Sequence, residues 1–354
     1  MSEKQIWHGG DLDEAQRLFP DAPKPWIDLS TGINPIPYPL PALPSHLLER
    51  LPPPGAHADL EAAAAEAYGT SDTAAVVAAP GTQVLISLLP LLRSRSRVAV
   101  LGPTYAEHAV SWRRAGHEVV EVTSLTDAAG SDVLVVVNPN NPDGRFIARQ
   151  TLLELAEHFH RCSGWLVVDE AFADFDDDAT LVAHQPPNTI ILRSFGKTFG
   201  LAGLRLGFAI APKAIASRIR AALGPWAVSG PAIELGRRAL RDREWRVAAA
   251  QARVEDARRL DAMLLRVAEG ALGGTTLYRL VETDDGPELF SYLGRHGIWV
   301  RRFQSNPRLL RFGLPGPGWA WSRLDEAIRN WSPPNDGEQP TDARARSSHK
   351  ELPA

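Results

Sequence analysis

Lys197 stands in a glycine-rich and otherwise apolar run, Ser194-Phe195-Gly196-Lys197-Thr198-Phe199-Gly200-Leu201-Ala202-Gly203-Leu204-Arg205-Leu206-Gly207. The Ser194 hydroxyl lies three residues before it and Arg205 eight after. Apolar surroundings and a nearby cation lower the pKa of a lysine, and a neutral amine is the form that condenses with a carbonyl. The run therefore suits Schiff-base chemistry. It is not a nucleotide-binding P-loop: that spacing needs a glycine five residues before Gly196, where Ile191 stands.

Three further segments carry candidate groups. Ala79-Pro80-Gly81-Thr82-Gln83 is a glycine turn opening a helix, whose free backbone amides and dipole suit a phosphate. Such turns are common, so this one is weak by itself. Asn138-Pro139-Asn140-Asn141-Pro142-Asp143-Gly144 follows the apolar run Asp132–Val137. Tight-turn chemistry explains its prolines and glycine but not the repeated asparagine. In Val167-Val168-Asp169-Glu170-Ala171-Phe172 two acids directly follow a strand, so one carboxylate is partly buried and needs a cationic partner or a strong donor. A protonated pyridine nitrogen would serve; an ordinary helix N-cap is the alternative.

These groups need a frame. Short apolar runs at 75–79, 97–101, 133–137, 166–168 and 189–192 read as buried strands, alternating with helical stretches at 83–92, 106–115 and 151–160. That alternation predicts a mostly parallel sheet covered on both faces, which binds ligands at the carboxyl ends of its strands. A helix over 59–68 stops at Gly69. Further helices are expected at 214–222 and 231–269, and strands at 275–281, 298–302 and 309–313 around a helix at 288–295, forming a smaller α+β unit. The expected division is an arm over 1–50 belonging to the small unit, a large domain over 51–228, a small domain over 229–331 and a polar, aperiodic tail over 332–354.

Together the four segments resemble the fold-type I pyridoxal-phosphate enzymes, the class that includes histidinol-phosphate aminotransferase, over roughly residues 25–330. The resemblance implies a three-layer aminotransferase-type large domain, a smaller α+β domain and a homodimer. It implies pyridoxal 5'-phosphate as cofactor, held on Lys197 as a Schiff base. Asp169 pairs with the pyridinium nitrogen, Asn141 donates to the ring 3-oxygen, and Tyr105 stacks on the ring. Gly81, Thr82, Gln83, Ser194 and Arg205 surround the phosphate. By itself Tyr105 reads equally as core packing. Two departures stand out. Phe172 occupies the place where the family commonly has a tyrosine bonded to the 3-oxygen, and Arg50-Leu51-Pro52-Pro53-Pro54 replaces the Tyr-Pro that reaches the partner subunit's cofactor.

The arm narrows the resemblance. His8-Gly9-Gly10 and Asp28-Leu29-Ser30-Thr31-Gly32-Ile33-Asn34-Pro35, with Asp169–Phe175 and Ser194–Arg205, are similar to the L-threonine-O-3-phosphate decarboxylases of cobalamin biosynthesis. That similarity implies His8, Asn34 and Asn141 at the substrate, Arg311 on its carboxylate and Arg301 on its phosphate. Arg302 is the alternative to Arg301, because neighbouring strand residues face opposite ways; Arg301 is preferred because it must share a face with Arg311. The implied reaction releases carbon dioxide and 1-amino-2-propanol O-2-phosphate. A histidinol-phosphate-type aminotransferase is the nearest alternative, and a non-catalytic scaffold of the same fold is the second.

Composition fits a packed enzyme: 44% hydrophobic and 23% charged residues, with a net charge of −4. No positive field is available for nucleic acid or an anionic membrane. The only cysteine, Cys162, excludes an internal disulfide and any multi-cysteine metal site. The N-terminus has no apolar secretory core, and the longest apolar stretch, 84–92, is too short to span a bilayer. A cytoplasmic location follows as the expectation.

Overall fold

A computed structural model describes residues 7–175 and 180–333. The tail expected from 332 onward lies outside the described residues after 333. The strands are β1 (Ile27–Leu29), β2 (Val76–Ala79), β3 (Arg97–Leu101), β4 (Glu118–Val122), β5 (Val133–Val137), β6 (Trp165–Asp169), β7 (Thr189–Ser194), β8 (Gly207–Ile210), β9 (Gly273–Thr275), β10 (Tyr278–Glu282), β11 (Ile298–Arg302) and β12 (Leu309–Gly313).

The larger sheet has seven strands in the order β2-β8-β7-β6-β5-β3-β4. All neighbours are parallel except β8, which runs against both β2 and β7. Every residue of β5 and β6 is buried, as expected for strands covered on both faces. Two apolar clusters fill the layers: one holds Leu60, Phe195, Phe199 and Phe208, the other Leu85, Trp112, Ile190 and Ile219.

The smaller sheet has the order β1-β11-β12-β10-β9, with β1 parallel to β11 and the other pairs antiparallel. The N-terminal arm therefore contributes an edge strand to the C-terminal unit. Helix Gly230–Arg241 packs into the larger core, where Ile233 and Leu240 lie, whereas helix Arg243–Leu264 sends Leu260 and Leu264 into the smaller one.

Several elements escape the periodicity reading. Strand β4 alternates weakly because it is a half-exposed edge, and β8 is a four-residue strand beginning on glycine. Helix Gly318–Asn330 closes the small unit with Trp321 and Leu324 buried. Among the described residues, no helix is long and apolar enough to cross a membrane.

Candidate active site

The sheet register gathers the chemistry at one edge. Val137 pairs with Asp169 and Asp169 with Leu192, so the turns after β5, β6 and β7 emerge side by side. Gly207 pairs with both Ser194 and Ala79, which draws Gly81, Ser194 and Arg205 together. That convergence needs glycines. A Cβ on Gly207 would lie 2.6 Å from the Thr82 amide nitrogen, and one on Gly81 would lie 2.6 Å from Arg205 Nη2. Gly81 also has φ +86°, which an L side chain rarely adopts. The Arg205 guanidinium thus lies over a bare backbone turn, beside the first amides of helix Thr82–Leu88, which have no intrahelical acceptor.

Arg205, Gly81, Thr82, Gln83 and Ser194 line one end of a cleft of about 400 Å³, and Lys197, Asp169, Asn141, Tyr105, His8 and Arg311 line the rest. Lys197 Nζ lies 5.0 Å from the centre of the Phe172 ring. Burial lowers the lysine's pKa; Asp169 opposes this, while Arg311 and Arg205 add to it. Burial alone would push Asp169 up. His108 outweighs that effect, by its hydrogen bond and its charge, and together with Lys197 it holds the carboxyl below the usual carboxylate range. His108 Nε2 donates to Asp169 Oδ2 at 2.9 Å, with both side chains nearly dry, and the Ala171 amide donates to Oδ1 at 3.0 Å. An ionised, buried carboxylate therefore faces the cleft beside an amine biased toward its neutral form.

Only one of the clustered asparagines faces the cleft. Asn138 bonds both ways with the backbone of Ile147. Asn140 donates to Pro103 O and Asp143 Oδ1 and accepts from Thr104. Those two staple the loop, and Asn141 is left at the wall, accepting from Arg311 Nη1.

Arg311 Nη2 donates to Ser30 O at 2.8 Å, while its Nε has no partner. Arg301 pairs directly with Arg311 across β11 and β12, which puts both guanidinium groups on one face of the sheet. Arg301 Nη1 is buried without a partner, and burial, followed by the Arg311 charge, lowers its pKa to about 10. Two such cations on one face call for an anion. Arg302 is engaged elsewhere: its guanidinium packs over Trp7 and Phe290 and pairs with Glu14 at 2.9 Å.

The arm reaches the cleft through its own staples. Asp28 accepts from the Ser30 amide and hydroxyl, and Ser30 Oγ accepts from the Gly10 amide. Gly9 lies so close to Ser30 O that a Cβ would come within 2.3 Å. His8 is thereby set at the mouth, 3.3 Å from Glu107. Tyr105 donates to Gln83 Oε1 at 3.0 Å, and burial, with Glu107 and Asp169 nearby, pushes its hydroxyl up to about 12.

Asn34 is the expected site residue that the structure directs away from substrate. Its amide oxygen accepts from Ile36 N and Arg253 Nη1, and its NH2 donates to Thr198 O. Both polar atoms of the side chain are engaged within the protein, and it does not line the cleft. The place of the absent tyrosine is filled by an apolar contact, the Phe172 ring standing edge-on to Tyr278 at 5.0 Å. Sequence reading missed His108. The signal was there: Tyr105 and His108 are three apart at the start of helix Glu107–Arg114, a spacing that turns both rings toward the same side.

The donor set fits pyridoxal phosphate. A glycine cradle with an arginine suits its phosphate, a buried ionised acid its ring nitrogen, and an amine of lowered pKa its aldehyde.

The sequence matches the family described as aminotransferase class I and II over residues 24–317. It is 42% identical to a threonine-phosphate decarboxylase of Pseudomonas aeruginosa, covering 92% of this chain and 98% of that protein. It is 40% identical to another from Sinorhizobium sp., over 91% and 97%. Among solved structures, histidinol-phosphate aminotransferase from Sinorhizobium meliloti in complex with pyridoxal-5'-phosphate superimposes with a TM-score of 0.74 at 19% identity, covering 93% of this chain and 96% of that one.

Proposed function

The chain belongs to the aminotransferase class I and II family, and from that premise we propose that it decarboxylates L-threonine O-3-phosphate to 1-amino-2-propanol O-2-phosphate in cobalamin biosynthesis. The observation that carries the substrate reading is the pairing of Arg301 with Arg311, two cations on one sheet face with unpartnered donors. A substrate with both a carboxylate and a phosphate satisfies both.

Bound pyridoxal phosphate supplies the electron sink for the bond that breaks. The chain's residues do the rest. Gly81, Thr82 and Gln83 offer backbone amides to the cofactor phosphate, with the Ser194 hydroxyl and the Arg205 guanidinium beside them. Tyr105, in the cleft wall, would lie against the ring. Asp169, kept ionised by His108, holds the proton on the ring nitrogen. Asn141 is the side-chain donor for the 3-oxygen, since Phe172 has no hydroxyl. Arg311 takes the substrate carboxylate in a fork and orients Asn141 through their hydrogen bond. Arg301 and His8 take the substrate phosphate. Lys197, neutral when it releases the cofactor, would take up a proton that exchanges with solvent and deliver it to Cα after carbon dioxide leaves.

Decarboxylation and transamination differ in which Cα bond stands perpendicular to the ring. Anchoring the carboxylate at Arg311 and the phosphate at Arg301 fixes that rotation, and this favours the decarboxylase reading over the aminotransferase. The reading includes a homodimer in the cytoplasm. Leu40, Leu48 and Leu51 support the dimer, being 63%, 79% and 67% exposed on one stretch at the end of the arm and thus apolar surface that a second copy would cover.

Incubation with pyridoxal phosphate and threonine phosphate tests the proposal. Release of carbon dioxide without added 2-oxoglutarate is the expected result. Turnover of histidinol phosphate that depends on 2-oxoglutarate, with none of threonine phosphate, would sink it.

A further inference from the structure

Lys197 sits on a single helical turn, Phe195–Thr198, too short to satisfy its own carbonyl groups. The arm supplies the partners. The Asn34 amide donates to Lys197 O at 2.8 Å, Asn34 Nδ2 donates to Thr198 O at 2.9 Å, and the Tyr38 amide donates to Phe199 O at 2.8 Å. Three successive carbonyls of the lysine turn are therefore held by one five-residue segment of the arm. The fit is close: a Cβ on Gly200 would lie 2.6 Å from Asn34 O.

Asn34 can cap the turn only in one orientation of its amide. Its NH2 must face Thr198 O, so its oxygen must face a donor. Two donors face it: the Ile36 amide, at 3.1 Å, and Arg253, in the middle of helix Arg243–Leu264, whose Nη1 reaches Asn34 Oδ1 at 3.0 Å. Arg253 is itself buried and held by Asp256 through Nε at 2.8 Å and Nη2 at 2.6 Å. Asp256 fixes Arg253, Arg253 and the Ile36 amide fix the Asn34 amide, and Asn34 fixes the backbone that carries the amine.

We propose that Asn34 and Arg253 are positioning residues for Lys197, acting as one unit that caps the lysine turn, and not as ligands of the substrate. The inference rests on the reading of Lys197 as the cofactor lysine. A displacement of about 1 Å at a reacting group can cost on the order of 100-fold in rate, so loosening this cap should be felt in the proton transfer to Cα.

Full-length Asn34→Ala, Asn34→Asp, Arg253→Met, Arg253→Lys and the Asn34→Ala/Arg253→Met pair are compared with the parent protein. In cofactor-free protein, amide hydrogen exchange over 196–200 is expected to quicken about tenfold or more in Asn34→Ala and Arg253→Met. Loaded with pyridoxal phosphate, both should lose on the order of 100-fold in kcat on threonine phosphate while KM stays within about twofold. The double variant should be no worse than Asn34→Ala, because Arg253 acts through Asn34. Arg253→Lys should recover most of the loss; Asn34→Asp, which lacks the donor to Thr198 O, should not. A raised KM with unchanged kcat, unaltered exchange over 196–200, or additive losses in the double variant would each overturn the proposal. If Asn34→Ala does not fold, the Arg253 pair of variants decides by the same measures. If the parent protein binds no pyridoxal phosphate, the reading of Lys197 fails instead, and the exchange data still decide whether the cap exists.

Discussion

Three groups divide the work around Lys197, and each acts through its effect on charge. Burial favours the neutral amine, so the unfolded chain binds a proton more readily there than the folded one, and folding becomes more favourable as pH rises through that window. Lys197→Ala should abolish both turnover and the visible absorbance of lysine-bound pyridoxal phosphate; retained turnover would contradict the role. Asp169 has the opposite sign. Its folded pKa lies below the ordinary 3.8, so its stabilising contribution is present above that value and lost as pH falls through the lower folded one. His108 is the main reason the pKa is lowered against burial. His108→Phe should therefore raise the pKa of Asp169 and move the acid limb of the activity profile to higher pH, because the desolvation is no longer offset. An unmoved limb would show that His108 does not tune the acid. At this scale the sequence was legible where spacing is local. Ser194, Lys197 and Arg205 lie close together in one glycine-rich run, and Asp169 sits at a strand end. Asn34 was misread because its motif points to the cleft, whereas its partners, Thr198 and Arg253, are remote in sequence.

Strand register decides between neighbours that composition cannot separate. Arg301 and Arg302 are adjacent, and alternation along β11 sends one toward Arg311 and the other under the arm. Arg301→Ala should raise KM for threonine phosphate by on the order of 100-fold with cofactor affinity unchanged, as expected for loss of a charged hydrogen-bonding partner. Arg302→Ala should leave KM unchanged and cost about 1 kcal/mol of stability, by loss of its aromatic contacts, read as a lowered denaturation midpoint. The reverse pattern would exchange their roles. The apolar strands β3, β5, β11 and β12 were readable from their runs, since each is short, continuous and bounded by turn residues. Strands β1 and β8 were not. One is three residues borrowed by a distant sheet edge, and the other begins on a glycine whose reason is the 2.6 Å approach to Thr82. The arm was assigned to the smaller unit from sequence, and the pairing of Ile27 with Ile298 is the register by which its strand joins that sheet.

At the scale of the molecule, the cleft is built from both ends of the chain and its middle. The larger sheet brings Lys197, Asp169, Asn141 and Arg205 to one edge, the smaller sheet faces it with Arg311, beside which Arg301 is paired, and the arm stitches the two through Ser30, Asn34 and Tyr38. The α/β alternation made the larger sheet predictable, because each strand is read locally. The crossing of helix Gly230–Arg241 into the larger core was not, since its partner Leu60 is far away in sequence. This assembly breaks the Cα–carboxylate bond and not the Cα–H bond. Running the reaction with threonine phosphate in deuterium oxide, and reading the product by proton and phosphorus NMR, tests it directly. The expected product is 1-amino-2-propanol O-2-phosphate with its original Cα hydrogen kept and one deuterium added beside it. A phosphorylated 2-oxo acid, with the Cα hydrogen lost and the carboxylate retained, would contradict it.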